Sequence, residues 1–272
     1  MKRIVLCADD YGQAVGITEG ILDLVKRKRL SAVSCLVNKT TFPADALRLK
    51  PYQKDIDIGL HWNLTEGYAH SAVYQKTYGP VFFPLSVLLR KAFFRQLSWD
   101  ILREELIAQL TSFKTAFGFL PDYIDGHQHI HQFPILRDVL INVYMHFLSQ
   151  HHVYIRWVNL KPMGWLGCEF KKRIIHFTGT KVLGRKLRNK KVPHNKSFAG
   201  IYSFKQGMRY QQLFPQFLTE VDDKGIILCH PARTITPNDP LGKARIEEYN
   251  YFASDQFLKD CDARKIHLEK FF

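Results

Sequence analysis

Short apolar runs alternate with helical patterns nearly throughout the chain, the arrangement of βαβ units around a mainly parallel sheet or barrel. The first predicted strand covers residues 3–8 and stops at Asp9 and Asp10. Ile17, Ile21, Leu22, Leu24 and Val25 then trace a helical stripe within residues 17–30. Strands follow at 32–37 and 57–63. Beyond a loop-rich excursion, Ser98 is placed to cap a helix that runs to Phe117, and Gly118 to end it. Residues 123–131 begin as a strand and leave it through three histidines, after which Pro134 suits the first turn of a helix reaching about residue 150. Further strands are predicted at 153–158 and 225–230, and helices at 210–221, where Pro215 is a blemish, and at 247–263. No internal repeat or low-complexity tract interrupts the series.

The polar residues that punctuate these runs choose between sheet and barrel. Asp9 and Asp10, His61, His127 and His230 all fall at the C-terminal ends of predicted strands. In a β/α barrel such ends converge on one mouth, where active sites lie, whereas an open sheet spreads them along an edge. The expectation is therefore a single α/β domain over residues 1–272, a distorted TIM-barrel-like fold with its site at the strands' C-terminal ends.

Composition fits that picture. At 272 residues and 46% hydrophobic, the chain can bury a substantial core. Its five cysteines are odd in number, widely spaced and form no CxxC, which indicates neither a disulfide framework nor a zinc ribbon and fits a reducing compartment. The first strand is too short in apolar residues for a signal peptide, and the greasiest later stretch, 81–94, is broken by Pro84, Arg90 and Lys91. A cytoplasmic location is expected. The net charge of +14 is uneven, with ten Lys/Arg and no Asp or Glu over residues 171–196. That basic excursion, at about 165–200, either is simply solvated or meets an anionic membrane surface or acidic substrate, which would make the protein peripheral at the membrane. Within residues 171–196 Phe177 is the one Phe, Trp or Tyr, which argues against single-strand nucleic-acid binding.

The chemistry concentrates in few places. Asp125-Gly126-His127-Gln128-His129-Ile130-His131 packs histidines at period two, which on an extended segment points the three imidazoles to one side. Residues two apart are roughly 6.5–7 Å apart along a strand, so sharing one ion requires a bend. His127, nearest the strand end, is the natural metal ligand beside Asp10 and His61. His129 and His131 are left as supporting groups, substrate contacts or packed histidines, and Asp125 as a group that fixes an imidazole tautomer or starts a turn. Of Asp9 and Asp10, one carboxylate can bind a metal while the other stays near water as a general base. His230 faces the same mouth as a general acid or is a structural histidine before Pro231. Arg156, inside an apolar strand, has to pair with a carboxylate or a substrate oxygen. GxGxxG, GxxxxGK[ST] and GxSxG are all missing, which removes the common nucleotide-binding and serine-hydrolase readings.

Taken together, Ala8-Asp9-Asp10-Tyr11-Gly12, Ile58-Gly59-Leu60-His61, the histidine run and Cys229-His230-Pro231 resemble the YdjC-like carbohydrate deacetylases, which include chitooligosaccharide deacetylases and a branch associated with hopanoid biosynthesis. Residues 31–38, SAVSCLVN, also look like that family's segment after the first helix. The resemblance implies a barrel-like fold with one divalent metal ion. By position, Asp10, His61 and His127 match the metal-binding residues, Asp9 the general base and His230 a candidate general acid; His129 and Arg156 are kept as substrate-binding candidates. It further implies metal-dependent N-deacetylation of an acetylated sugar, oligosaccharide or sugar-bearing lipid, and a homodimer. Two imidazoles and one carboxylate suit zinc better than magnesium, although the family is commonly described with magnesium. The competing readings are a metal-dependent hydrolase of another ester or phosphoester, and a membrane-associated family member without turnover. The basic excursion matches no motif of the family.

Overall fold

A computed structural model describes residues 1–160, 176–204 and 209–272. Its strands are β1 (Lys2–Tyr11), β2 (Ala32–Cys35), β3 (Asp57–Trp62), β4 (Tyr123–Gly126), β5 (Tyr154–Ile155), β6 (Phe198–Ala199), β7 (Gly225–Cys229) and β8 (Ile266–Leu268). They run in the order β5-β4-β3-β2-β1-β7-β6, with β8 beside the start of β1, and every pairing is parallel. The sheet curls until its two ends meet: Phe198 of β6 bridges Leu160, just past β5, and its N–H donates to the Asn159 carbonyl at 3.1 Å. The barrel-like α/β fold expected from the alternating pattern is the fold observed.

Alternate residues of each strand serve different cores, as the period of two demands. Val5, Cys7, Ala32, Tyr123, Tyr154, Phe198, Ile226 and Leu228 pack inside the curl. Ile4, Leu6, Val33, Ile58, Leu60, Ile124 and Ile227 face the surrounding helices in the larger core. Burial on both faces is why these strands read as unbroken apolar runs. Gly59 makes room for the interior filling: a Cβ there would meet the Tyr123 ring at 2.3–2.5 Å. Tyr123 stacks on Tyr154, and Tyr154 on Phe271, closing the end of the barrel away from the site.

The helices are α1 (Val15–Lys26), α2 (Phe42–Leu49), α3 (Ala72–Tyr78), α4 (Leu85–Phe93), α5 (Trp99–Phe117), α6 (Leu136–Phe147), α7 (Lys181–Asn189), α8 (Tyr210–Glu220), α9 (Gly242–Ala253) and α10 (Asp255–Ala263). Gly118 ends α5 in the left-handed region as expected, φ 81°; Ser98 sits at the N-cap position but its side chain makes no cap bond. The predicted helix at 247–263 is two helices, because Ser254 adopts an extended ψ of 163° and its hydroxyl donates to the Tyr251 carbonyl. α6 starts at Leu136 rather than at Pro134, since Ile135 takes φ 68°. Part of the basic excursion forms α7, anchored by Leu183 and Leu187; residues 165–175 of it lie outside the described residues. Among the described residues, no helix is long and apolar enough to cross a membrane.

Candidate functional site

The interior rungs change character toward the C-terminal ends of the strands. Below lie Val5, Ala32, Tyr123 and Tyr154; above them the same registers carry Asp9, Ser34, His61, Asp125 and Arg156, all buried. A regular strand would send Asp9 and Asp10 to opposite faces. β1 avoids this with a bulge: Ala8 pairs with Val33 but Tyr11 with Cys35, so β1 holds one extra residue. Asp10 absorbs it at φ 72°, a conformation that Asp tolerates better than most residues. Both carboxylates therefore line one cavity of about 700 Å³, with His61, His127, His129 and His230. Its upper walls are apolar, from Ile17, Leu85, Leu89, Phe133, Ile201 and Phe204.

Two arginines divide the carboxylates between them. Arg156, fully buried, grips Asp9 with both oxygens engaged (2.8 and 2.7 Å) and also reaches Asp125 at 2.7 Å. It does not line the cavity, so of the two partners anticipated for it the carboxylate is the one observed. Arg245 of α9 donates to Asp10 Oδ2 at 2.7 Å. Among the described residues Asp10 Oδ1 has no hydrogen-bond partner: it lies 3.0 Å from His127 Nδ1 and 3.5 Å from His61 Nε2 but is aligned with neither. His61 Nδ1 lies 2.5 Å from Asp125 Oδ1, which fixes the proton on that nitrogen and turns the Nε2 lone pair toward Asp10.

Asp10, His61 and His127 thus bring three ligand atoms within 4.8 Å of one another, all buried, and can hold a metal ion. Asp9, His61 and Asp125 also cluster within that distance, but there the Arg156 guanidinium already supplies the cation. The orphaned acceptor and the imidazole–imidazole–carboxylate set fit a tetrahedral-type divalent ion with an open position. The field agrees. Burial opposes charge on His61, yet Asp125 and Asp9 raise it to about 10; burial likewise opposes His127, and Asp10 raises it. Against the cost of burial, Arg156 holds Asp9 far below the usual carboxylate range, and Arg245 with His127 does the same for Asp10.

The histidine run does not stay extended. After His127 the chain turns in a short 3-10 segment, with Gln128 and His129 at φ 53° and 59°. The three imidazoles consequently diverge rather than share a side. His127 joins Asp10, His129 lines the cavity beside Phe198, and His131 is fully buried with Nε2 3.0 Å from the Arg156 carbonyl. Burial lowers His129 to about 3 and His230 to about 4, so both imidazoles are neutral near pH 7. The His230 ring packs near Phe204, and its backbone N–H donates to Glu248 at 2.5 Å.

A family model described as YdjC-like protein matches residues 3–263. The chain belongs to the YdjC-like family. A Xenopus laevis protein named carbohydrate deacetylase is 30% identical over 157 residues, 56% of this chain and 49% of that protein. A Proteus mirabilis protein named chitooligosaccharide deacetylase is 32% identical over 130 residues, 48% of this chain and 50% of that one. The matched region spans about half the length of these curated relatives. Among solved structures, an Enterococcus faecalis protein provisionally named for cellobiose-phosphate cleavage superposes with a TM-score of 0.73 at 19% identity, over 99% of this chain and 97% of its own. The Bc1960 peptidoglycan N-acetylglucosamine deacetylase follows the same fold at a TM-score of 0.54 and 14% identity, over 98% and 85%.

Three polar groups of this YdjC-like site were not foreseen. Arg245 and Glu248 lie in a charge-rich stretch, Lys243-Ala244-Arg245-Ile246-Glu247-Glu248, yet both are buried. Glu66, 3.2 Å from His127 Nε2 and bonded by Gln13, follows His61 by five positions in a loop with no periodic signal.

Proposed function

We propose that this protein is a divalent-metal-dependent deacetylase that hydrolyses the N-acetyl group of an acetylated amino sugar, oligosaccharide or sugar-bearing lipid. The observation that carries the reading is the convergence of Asp10, His61 and His127 beside Asp9 at the floor of one ligand-sized cavity. The names of the relatives support the substrate class, and the donor set supports zinc or another borderline ion ahead of magnesium. A bound ion supplies Lewis acidity toward the acetyl carbonyl and makes water more acidic.

The chain's own groups then divide the proton work. Asp9, kept ionised by Arg156, is the base that accepts a proton from water; with both oxygens engaged it is a weak base and releases that proton readily. His230 stands at the cavity wall as the donor to the departing amine. Burial keeps the His230 imidazole neutral near pH 7, so it donates only after taking up the proton that water loses to Asp9. Asp125 holds the His61 tautomer, and Arg245 holds Asp10 with one oxygen turned inward. His129, neutral and at the cavity floor, is placed to contact the sugar.

Acetate release from N-acetylglucosamine oligomers tests this, with wild type and Asp9→Asn compared before chelation, after it, and after zinc or magnesium is restored. Wild-type activity should vanish with chelation and return with metal, and Asp9→Asn should lose at least roughly a hundredfold. Indifference to chelation, or full activity in Asp9→Asn, sinks the mechanism.

A further inference from the structure

Between β3 and α5 the chain leaves the barrel for residues 63–98, at the end where the strands open into the cavity. Residues 67–99 contain no Asp or Glu, while Lys76, Arg90, Lys91 and Arg95 supply four cations. The same stretch leaves Phe94 71% exposed, Tyr68 63%, Val81 54%, and Phe93 and Val73 50% each. Tyr68 and Val81 pair across an antiparallel bridge, which sets two of these side chains together. α4 links the patch to the site. Leu88 and Ala92 fasten it to the core, Leu85 and Leu89 line the cavity, and Phe93-Phe94 follow at its end. Across the mouth, Val15 and Ile235 are also exposed, next to cavity-lining Ala14 and Thr236.

Single exposed apolar residues are ordinary, but Phe93 and Phe94 continue α4 beyond the rim residue Leu89 and stand among Arg90, Lys91 and Arg95, none of which has an ion-pair partner among the described residues. The cores of protein interfaces are depleted in charged residues, whereas here cations of one sign run through the patch. Interfacial helices instead pair an apolar face with Lys and Arg, and anionic headgroups attract exactly that charge pattern. Nine residues of α4 are too few to span a bilayer, so the element lies on the surface.

We propose that residues 67–95 seat the cavity mouth on an anionic lipid surface, with Phe93 and Phe94 in the acyl boundary and Arg90, Lys91 and Arg95 among the headgroups. This rests on the patch and not on the deacetylase reading. It assigns the lipid contact to the β3–α5 excursion, away from the basic helix α7.

Flotation with phosphatidylcholine vesicles, with and without phosphatidylglycerol, tests the assignment on the full chain. Wild type should partition at least about tenfold better into the phosphatidylglycerol vesicles. Phe93→Ser/Phe94→Ser and, separately, Arg90→Glu/Arg95→Glu should each lose at least about tenfold, with thermal melts unchanged because all four side chains are exposed. Lys181→Gln/Arg185→Gln on α7 should bind as wild type. The proposal is overturned if wild type stays with neither vesicle, if both excursion variants bind as wild type, or if only the α7 variant loses binding. Self-association in ultracentrifugation that Phe93→Ser/Phe94→Ser abolishes, without vesicle binding, would make the patch a protein interface instead.

Discussion

Arg156→Met tests the electrostatic frame of the site most directly. The guanidinium is fully buried and contacts Asp9 at 2.7 and 2.8 Å, Asp125 at 2.7 Å, Ser34 at 3.0 Å and the Cys7 sulfur at 2.8 Å. Methionine fills much of the volume but leaves two buried carboxylates without their guanidinium, with only His61 beside them. Breaking a buried pair from one side costs roughly 3–5 kcal/mol. In a domain of this size each kcal/mol moves Tm by about 2–4 °C, so a drop of about 6–20 °C is expected. Urea denaturation gives the free energy and calorimetry the Tm. Adding Asp125→Asn removes one orphaned charge, so the double variant should lose at least about 1 kcal/mol less than the sum of the singles. The pH dependence has a definite sign. Asp9 is depressed in the folded state, so its contribution is present above the unfolded carboxylate value and lost as pH falls through the folded one. The gap between wild type and Arg156→Met should narrow as pH falls below about 4. A loss under about 1 kcal/mol, the scale of an exposed pair, refutes the reasoning.

Two further outcomes follow from single positions. Burial raises Glu248 from 4.5 to about 7, against the bonds from Tyr202 and the His230 N–H, so its stabilising contribution is full below about pH 4.5 and lost as pH rises through about 7. Glu248→Gln should flatten the fall in unfolding free energy over that window by about 3 kcal/mol, and an unchanged slope in urea titrations at several pH values counts against it. Gly59→Ala forces a methyl into the Tyr123 ring and should cost about 1–3 kcal/mol, partly relieved by Tyr123→Leu; an unaltered urea midpoint would show that the interior yields more easily than the contact of 2.3 Å implies.

Much of the fold was legible because a barrel strand is buried on both faces and so leaves an unbroken apolar run that stops at the site. β1, β3 and β7 end within a few residues of Asp9, His61 and His230 for that reason. The two-residue β5 and β6 left too little signal: β5 lies within a longer predicted strand, and β6 was not anticipated. The histidine run misled in one respect. Period two implies one face only while the backbone stays extended, and Gln128 and His129 at positive φ end that condition immediately after His127. Nor does a sequence pattern reveal that α9 turns Arg245 inward, since burial of that guanidinium depends on Asp10 and Asp239 waiting for it at 2.7 and 2.8 Å.

Those arginines also separate two carboxylates that adjacency alone leaves equivalent. Either Asp9 or Asp10 can serve as ligand or base so far as residue type is concerned. Arg156 takes both oxygens of Asp9, whereas Arg245 takes only one of Asp10. The buried Asp9, Asp10 and Asp125 face two guanidiniums, so one negative charge stays uncompensated. The bulge in β1 and the Arg245 contact place it on Asp10 Oδ1, between His61 and His127, where a divalent cation would be stabilised and a proton on either imidazole would otherwise have to serve. In the proposed mechanism the division of labour between the two aspartates is thus set by which guanidinium reaches which oxygen, and exchanging ligand for base would require moving α9, not merely substituting a residue in β1.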